Sequence, residues 1–237
     1  MPATQNAVKI IAANERLTTA PMTHLAHVDL AHVEGRRLTP SWAIVVLGFI
    51  VVLLGLPTAL FALALGFGLL PLPYQLFVVL QRLPVAFPLH MIASGLALIL
   101  IPIAAITRHR RGVHRAAGRA AAVCVVVGGL TALLVALASE ASALARAGFF
   151  TQGVTWLALV AAAVTAIRRG DRTRHARLMI AMAAVASGAL WLRLVMIVAA
   201  ETGLPIETIY GLAAWACWLI PLGTVLVISA TTIARSR

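Results

Sequence analysis

The sequence predicts an all-α, polytopic transmembrane bundle of six helices. Apolar residues make up 62 % of the 237 residues and charged residues only 11 %, whereas a soluble domain averages roughly 45–50 % apolar and about 25 % charged. A water-soluble fold of this length could not bury so much apolar surface. The composition therefore excludes a soluble enzyme, a disordered chain and a secreted disulfide scaffold.

Six stretches are long enough to cross a bilayer, because a span needs roughly 20 mostly apolar residues. The predicted spans are 42–65, 89–107, 116–138, 149–167, 178–200 and 208–233. They divide the chain into an N-terminal tail at 1–40, a six-helix transmembrane domain at 41–233 and a C-terminal tail at 234–237. The N-terminal tail is expected to be flexible or to lie on the membrane surface.

Basic residues cluster in the N-terminal tail, in two hairpins at 108–119 and 168–177, and at the C-terminus. An even number of spans places all four groups on one side, and the positive-inside rule makes that side cytoplasmic. We therefore expect a multi-pass protein of the bacterial inner membrane with both termini in the cytoplasm. The net charge of +12 lies in short loops with no basic face, so lipids rather than nucleic acids are the expected partners. A membrane-protein partner and a homo-oligomer both stay open.

The loop at 71–88, on the opposite side, has four prolines around a short apolar run. That run is too short to cross the membrane, so we expect an interfacial segment that covers the outer face of the bundle.

The two cytoplasmic hairpins share a pattern. Residues 105–114 and 166–175 both read A-I-x-R-x-x-R-x-x-H, at an offset of 61 residues. One interpretation is a parallel repeat of helix hairpins, which would place His114 and His175 at equivalent depths. The other is chance, since alanine, isoleucine and arginine are common at any cytoplasmic membrane boundary.

Several ordered motifs indicate a family. They are Leu89-His90, the HR-x-x-GR motif at 114–119, the H-x-R-L-M-I motif at 175–180, Leu192-Arg193-Leu194 and the A-W-A-C-W motif at 214–218. Over roughly residues 45–232 the chain resembles the bacterial predicted membrane proteins grouped as domain of unknown function 2306, although Ala176 stands where that family suggests arginine. The resemblance implies a polytopic inner-membrane protein. It implies no substrate, because the family has no assigned activity.

Arg193 lies inside the fifth predicted span, about 12 Å from its outer end at 1.5 Å per residue. A charge at such depth costs about 2.5–3.5 kcal/mol and usually faces a bundle interior or a wet cavity. We therefore predict an outward ligand-binding site for an anionic group. Its candidate residues are His90, Arg193, Trp215 and Trp218. The alternative is that Arg193 reaches outward and pairs with Glu201 or a lipid phosphate.

His114 and His175 form the second candidate site, as ligands of a b-type haem. Such a haem needs two imidazoles from facing helices at matched depth, with positive charge for its propionates. The alternative is that these histidine–arginine pairs cap helix starts and that Arg115, Arg119 and Arg177 bind lipid headgroups.

Three function classes remain open on the sequence alone. The first is a small-molecule or haem-binding redox site, the second a non-catalytic accessory or lipid-organising protein, and the third a small-solute transporter. The transporter hypothesis is weakened because no acidic residue, the usual proton-coupling group, lies deep in a predicted span. His24, His27 and His32 of the N-terminal tail could bind a metal, but their spacing fits no zinc signature.

Overall fold

The computed structural model describes the backbone of residues 41–235 and the side chains of residues 53–231. The expected N-terminal tail at 1–40, with its three histidines, lies outside the described residues.

Contacts divide the chain into one unit at 1–46 and a second at 47–237. Of the first unit, the described part is 41–46, where the first helix begins.

Helices joined by short turns make up the described part of the chain, and no strand occurs there. In order they are α1 (Ser41–Gly66), α2 (Tyr74–Arg82), α3 (Ala86–Ile106), α4 (Arg111–Ala138), α5 (Ala143–Arg168), α6 (Arg172–Ala186), α7 (Gly188–Glu201) and α8 (Ile206–Arg235). The predicted all-α class is confirmed.

Five segments of the described part are long and apolar enough to cross a membrane: α3, α4, α5, α6 together with α7, and α8 as far as Thr231. These segments are consistent with the predicted multi-pass membrane protein. The first predicted span corresponds to α1, a helix of 26 residues, whose side chains are described from Leu53 to Gly66. A count of six spans stays a prediction.

The helices run further into the arginine-rich hairpins than hydropathy predicts. Helix α4 begins at Arg111 and α6 at Arg172, whereas the predicted spans begin at residues 116 and 178. Helix α8 likewise continues to Arg235, into the segment expected as a C-terminal tail. Arginine is a good helix former, and its long side chain can reach water from a helix end, so charge ends the apolar run without ending the helix.

The core lies where α3, α4, α5, α6 and α8 meet. Val125 of α4, Trp156 and Val160 of α5, Met182 of α6 and Trp218 of α8 pack together there, all at most 8 % exposed. Large apolar side chains also cover outward faces: Val123, Leu130 and Leu137 of α4 are 62 %, 53 % and 63 % exposed. Such faces suit a hydrocarbon surrounding.

Glycine allows two of the helices to approach closely. A Cβ placed on Gly148 of α5 would lie 2.8 Å from the carbonyl oxygen of Ala214 in α8. Close backbone approach at small residues is a general means of helix association in membranes.

The proline-rich loop folds as α2, a helix of nine residues, which is too short to cross the membrane. Its last residue, Arg82, donates from Nη1 to the carbonyl of Ala138 at 2.8 Å and from Nη2 to Glu140 Oε1 at 2.7 Å. Because Ala138 is the last residue of α4, the guanidinium satisfies a carbonyl that the helix itself leaves free. The loop is thereby attached to the end of the bundle away from the arginine-rich hairpins.

The fifth apolar segment is interrupted near its middle, at Ser187 between α6 and α7. The Leu190 N–H donates to the Ser187 carbonyl at 2.9 Å, which is the three-residue spacing of a 3₁₀ turn. Two side chains bond to carbonyls at the break: Ser187 Oγ donates to Ala184 at 2.7 Å, and Gln152 Nε2 of α5 donates to Val185 at 3.1 Å. Backbone groups freed at membrane depth need such partners.

We expect the Gln152→Leu variant to be less stable by about 1–3 kcal/mol, because the Val185 carbonyl loses its donor in a buried place. Thr151→Val is the matched control, since the Thr151 hydroxyl donates to Ala147 within its own helix, and we expect it to stay within about 0.5 kcal/mol of the parent. The measurement is reversible unfolding in mixed micelles. Equal stability of the two variants would contradict this role for Gln152.

Candidate functional site

A large cavity lies at the arginine-rich end of the bundle. Its volume is about 790 Å³, and residues of α3, α4, α5, α6 and the two hairpins line it. Both His114 and His175 are among the lining residues, so the structure brings the predicted histidine pair to one cavity. The deep part of the lining includes Val160 and Met182, which belong to the buried core.

The two histidines have the same hydrogen-bond arrangement. His114 Nδ1 lies 2.8 Å from the carbonyl oxygen of Ala104 in α3, and His175 Nδ1 lies 2.9 Å from that of Ala163 in α5. A carbonyl oxygen only accepts, so each Nδ1 carries the proton and donates. In a neutral imidazole this leaves each Nε2 as a free lone pair. Both histidines, which line the cavity, therefore have a ring nitrogen that is chemically able to bind a metal.

The local folding of the two hairpins explains this match. Arg111 and Arg172 begin α4 and α6, 61 residues apart. Each histidine is three residues further along, and its backbone N–H donates to the N-cap carbonyl, of Arg110 or of Asp171. Both histidines therefore lie one turn inside their helices.

Arginine surrounds the histidine pair. Of the predicted lipid-headgroup residues, Arg115 and Arg119 line the cavity, and Arg177 does not. The lining arginines that sequence reasoning did not assign to a site are Arg108, Arg111, Arg168 and Arg172. Arg111 and Arg172 are related by the same 61-residue offset, a signal that could have found them.

His90 lies in a different place, beside a smaller cavity of about 130 Å³ between α3, α4, α5 and the helix break. Its Nδ1 is 2.9 Å from the carbonyl oxygen of Gly128 in α4. Gln152 and Trp156 of α5 also line this cavity, whereas Arg193, Trp215 and Trp218 do not. Of the four predicted ligand residues, only His90 lines this cavity, and sequence reasoning missed Gln152 and Trp156.

Arg193 turns back toward the start of α7. Its Nη1 donates to the carbonyl of Ala189, four residues earlier, at 2.9 Å. Its guanidinium carbon lies 5.7 Å from the centre of the Phe61 ring of α1, within the range of a cation–π contact. Neither of these two contacts involves Glu201.

The tryptophan pair belongs to the packing between α5 and α8. Trp215 Nε1 donates to the carbonyl of Leu144 at 3.0 Å, and Trp218 Nε1 to that of Ala214 at 2.9 Å. Their ring centres are 6.2 Å apart, and both indoles pack in or against the core. Both tryptophans therefore have a structural role in helix packing.

Within residues 53–231, no group of three or more His, Cys, Asp or Glu side chains is placed to hold a metal ion. A structural zinc site needs four such ligands, so the described residues do not provide one. A metal complex that brings most of its own ligands and needs only two axial imidazoles would be a different case.

Comparison with known proteins finds one family model, described as predicted membrane protein (DUF2306), which matches residues 87–228. The match covers more than half of the chain, although it begins later than the resemblance over 45–232 suggested. It contains both arginine-rich hairpins, both cavities and the helix break. No curated protein and no solved structure matches the chain. The chain is therefore a member of the DUF2306 family of predicted membrane proteins.

Proposed function

We propose that this protein binds a b-type haem in the arginine-lined cavity, with His114 and His175 as its two axial ligands. The observation that carries the proposal is the shared hydrogen-bond arrangement of the two imidazoles. Histidines that ligate a metal almost always donate their other ring N–H to a carbonyl or a carboxylate, which orients the ring. His114 and His175 both donate to a helix carbonyl, and both line the same cavity.

The rest of the lining supports the same ligand. Its volume of about 790 Å³ lies within the roughly 300–1,000 Å³ typical of ligand sites. Val160, Val164 and Met182 provide apolar surface for a macrocycle, while arginines of the hairpins provide charge for propionates. The cavity extends to core residues, and both histidines are half-buried.

A bound haem would supply one-electron redox chemistry. The residues of this chain would orient the ligands, exclude water and bind the carboxylates. The carbonyls of Ala104 and Ala163 hold each imidazole in the tautomer that leaves Nε2 free. The apolar side chains would exclude water from the deep part of the cavity, and the guanidinium groups would bind the haem carboxylates at its polar end.

We expect His114→Ala and His175→Ala each to abolish the low-spin absorption spectrum of protein expressed with excess haem, since each removes an axial ligand. His109→Ala is the matched control, because His109 is an exposed residue of the same hairpin that does not line the cavity. Its spectrum should match that of the parent. Size-exclusion profiles establish that all three variants fold.

Absence of a Soret band in the parent protein would contradict the haem proposal. So would an unchanged spectrum in either cavity variant.

An anionic lipid headgroup is the second candidate occupant, and the ring of arginines favours it. Six guanidinium groups line the cavity, those of Arg108, Arg111, Arg115, Arg119, Arg168 and Arg172. Such clusters suit phosphate. If this is the function, native mass spectrometry should find a retained anionic phospholipid in protein that shows no haem absorption.

We propose a topology of six spans with both termini and both arginine-rich hairpins in the cytoplasm of a bacterial inner membrane. Helix α1 would add one span, the first in chain order, to the five apolar segments. The starts of α4 and α6, which lie 61 residues apart, support a parallel repeat. The charge asymmetry supports the orientation. Membrane lipids would then surround the outward apolar faces.

Cysteine labelling tests this topology. A cysteine at Gly112 should react with a membrane-impermeant maleimide only after cell lysis, because the hairpin would be cytoplasmic. A Cβ at this glycine meets open space, so the substitution should be tolerated. A cysteine at the exposed Glu207 should react in intact cells. The reverse pattern would overturn the orientation.

A further inference from the structure

The smaller cavity has the dimensions of a single ring. Its volume is about 130 Å³, and an engineered apolar cavity of about 150 Å³ admits benzene. It is therefore too small for a haem and larger than one water molecule needs. Phe149 and Trp156 lie in its lining, and aromatic side chains favour stacked or edge-on contact with another ring.

The polar groups of this cavity are neutral, and some of their hydrogen-bonding atoms have partners while others do not. His90 Nδ1 donates to Gly128 at 2.9 Å, which leaves Nε2 as an acceptor. Gln152 uses one amide hydrogen on Val185 at 3.1 Å, which leaves its carbonyl oxygen as a second acceptor. A ligand hydroxyl could donate to either group.

Trp156 offers the complementary donor. The residue lines the cavity and is only 8 % exposed, yet its indole N–H has no hydrogen-bond partner. Buried donors are rarely left unpaired in folded proteins. An oxygen atom on a molecule in the cavity would supply the acceptor.

The helix break provides an independent indication. Ala186 and Ala189, on either side of Ser187, both line the cavity. Irregular backbone at membrane depth is tolerated where it is buried in protein or lines a cavity, and discontinuous helices often form binding sites near the bilayer centre.

We propose that this cavity binds a neutral, single-ring hydroxyaromatic molecule, a phenol in its simplest form. The ring occupies the apolar space beside Phe149 and Trp156, while the hydroxyl donates to His90 or Gln152 and accepts from Trp156. No charged side chain lines the cavity, so a neutral ligand is favoured over an anionic one. The proposal does not depend on haem binding at the histidine pair.

The test compares phenol with benzene, which has the same ring and no hydroxyl. We expect isothermal titration of the purified full chain in detergent to show saturable phenol binding, at least about fivefold tighter than benzene binding. If the parent protein binds neither probe saturably, the cavity holds water only and the proposal is overturned. Equal binding of phenol and benzene also overturns it, because the polar groups then contribute nothing.

Two variants with a matched control locate the binding. Trp156→Phe removes the donor, and we expect it to weaken phenol binding about fivefold. Trp191→Phe is the control, since Trp191 is 40 % exposed and does not line the cavity. It should bind phenol like the parent.

Ala132→Phe fills the cavity from α4 and should abolish phenol binding while the protein still elutes as a folded species. Unchanged phenol affinity in this variant or in Trp156→Phe would overturn the assignment.

Discussion

Polar groups inside the apolar layer must find partners within the protein, because lipid offers none. For four polar side chains the structure meets this requirement with hydrogen bonds to backbone carbonyls. The imidazoles of His90, His114 and His175 each donate to a carbonyl of a neighbouring helix. Gln152 does the same at the helix break. The need for a hydrogen-bond partner thus determines the tautomer of all three histidines and leaves their second ring nitrogens available. It also explains how the helix break in the fifth segment is tolerated.

The five long apolar segments of the described part could be predicted from the sequence, because apolar runs of about 20 residues are typical of membrane spans and uncommon elsewhere. Two features could not. The extension of α4 to Arg111 is invisible to hydropathy, since arginine ends an apolar run but favours a helix. The break at Ser187 lies inside a continuous apolar run, where a serine–glycine pair is a common cause of kinks but not a sufficient sign of one.

The candidate sites were predictable to different degrees, for a geometric reason. His114 and His175 could be paired because both follow short hairpins at a constant offset, and short hairpins set the depth of a residue. His90, Arg193, Trp215 and Trp218 were grouped by depth only. Depth does not say which way a residue faces around its helix axis, and the structure directs these four residues to different neighbours. Gln152 was missed because one neutral amide in an apolar helix carries no distinctive pattern.

In the proposed haem site, two imidazoles, each held by a helix carbonyl, would coordinate one metal complex in the arginine-lined cavity. The most direct measurement is the electron paramagnetic resonance spectrum of the oxidised, purified protein together with its haem content. We expect one haem per chain and a single low-spin ferric signal of the kind given by two imidazole ligands. A purely high-spin signal, or a protein that takes up no haem, would contradict the claim.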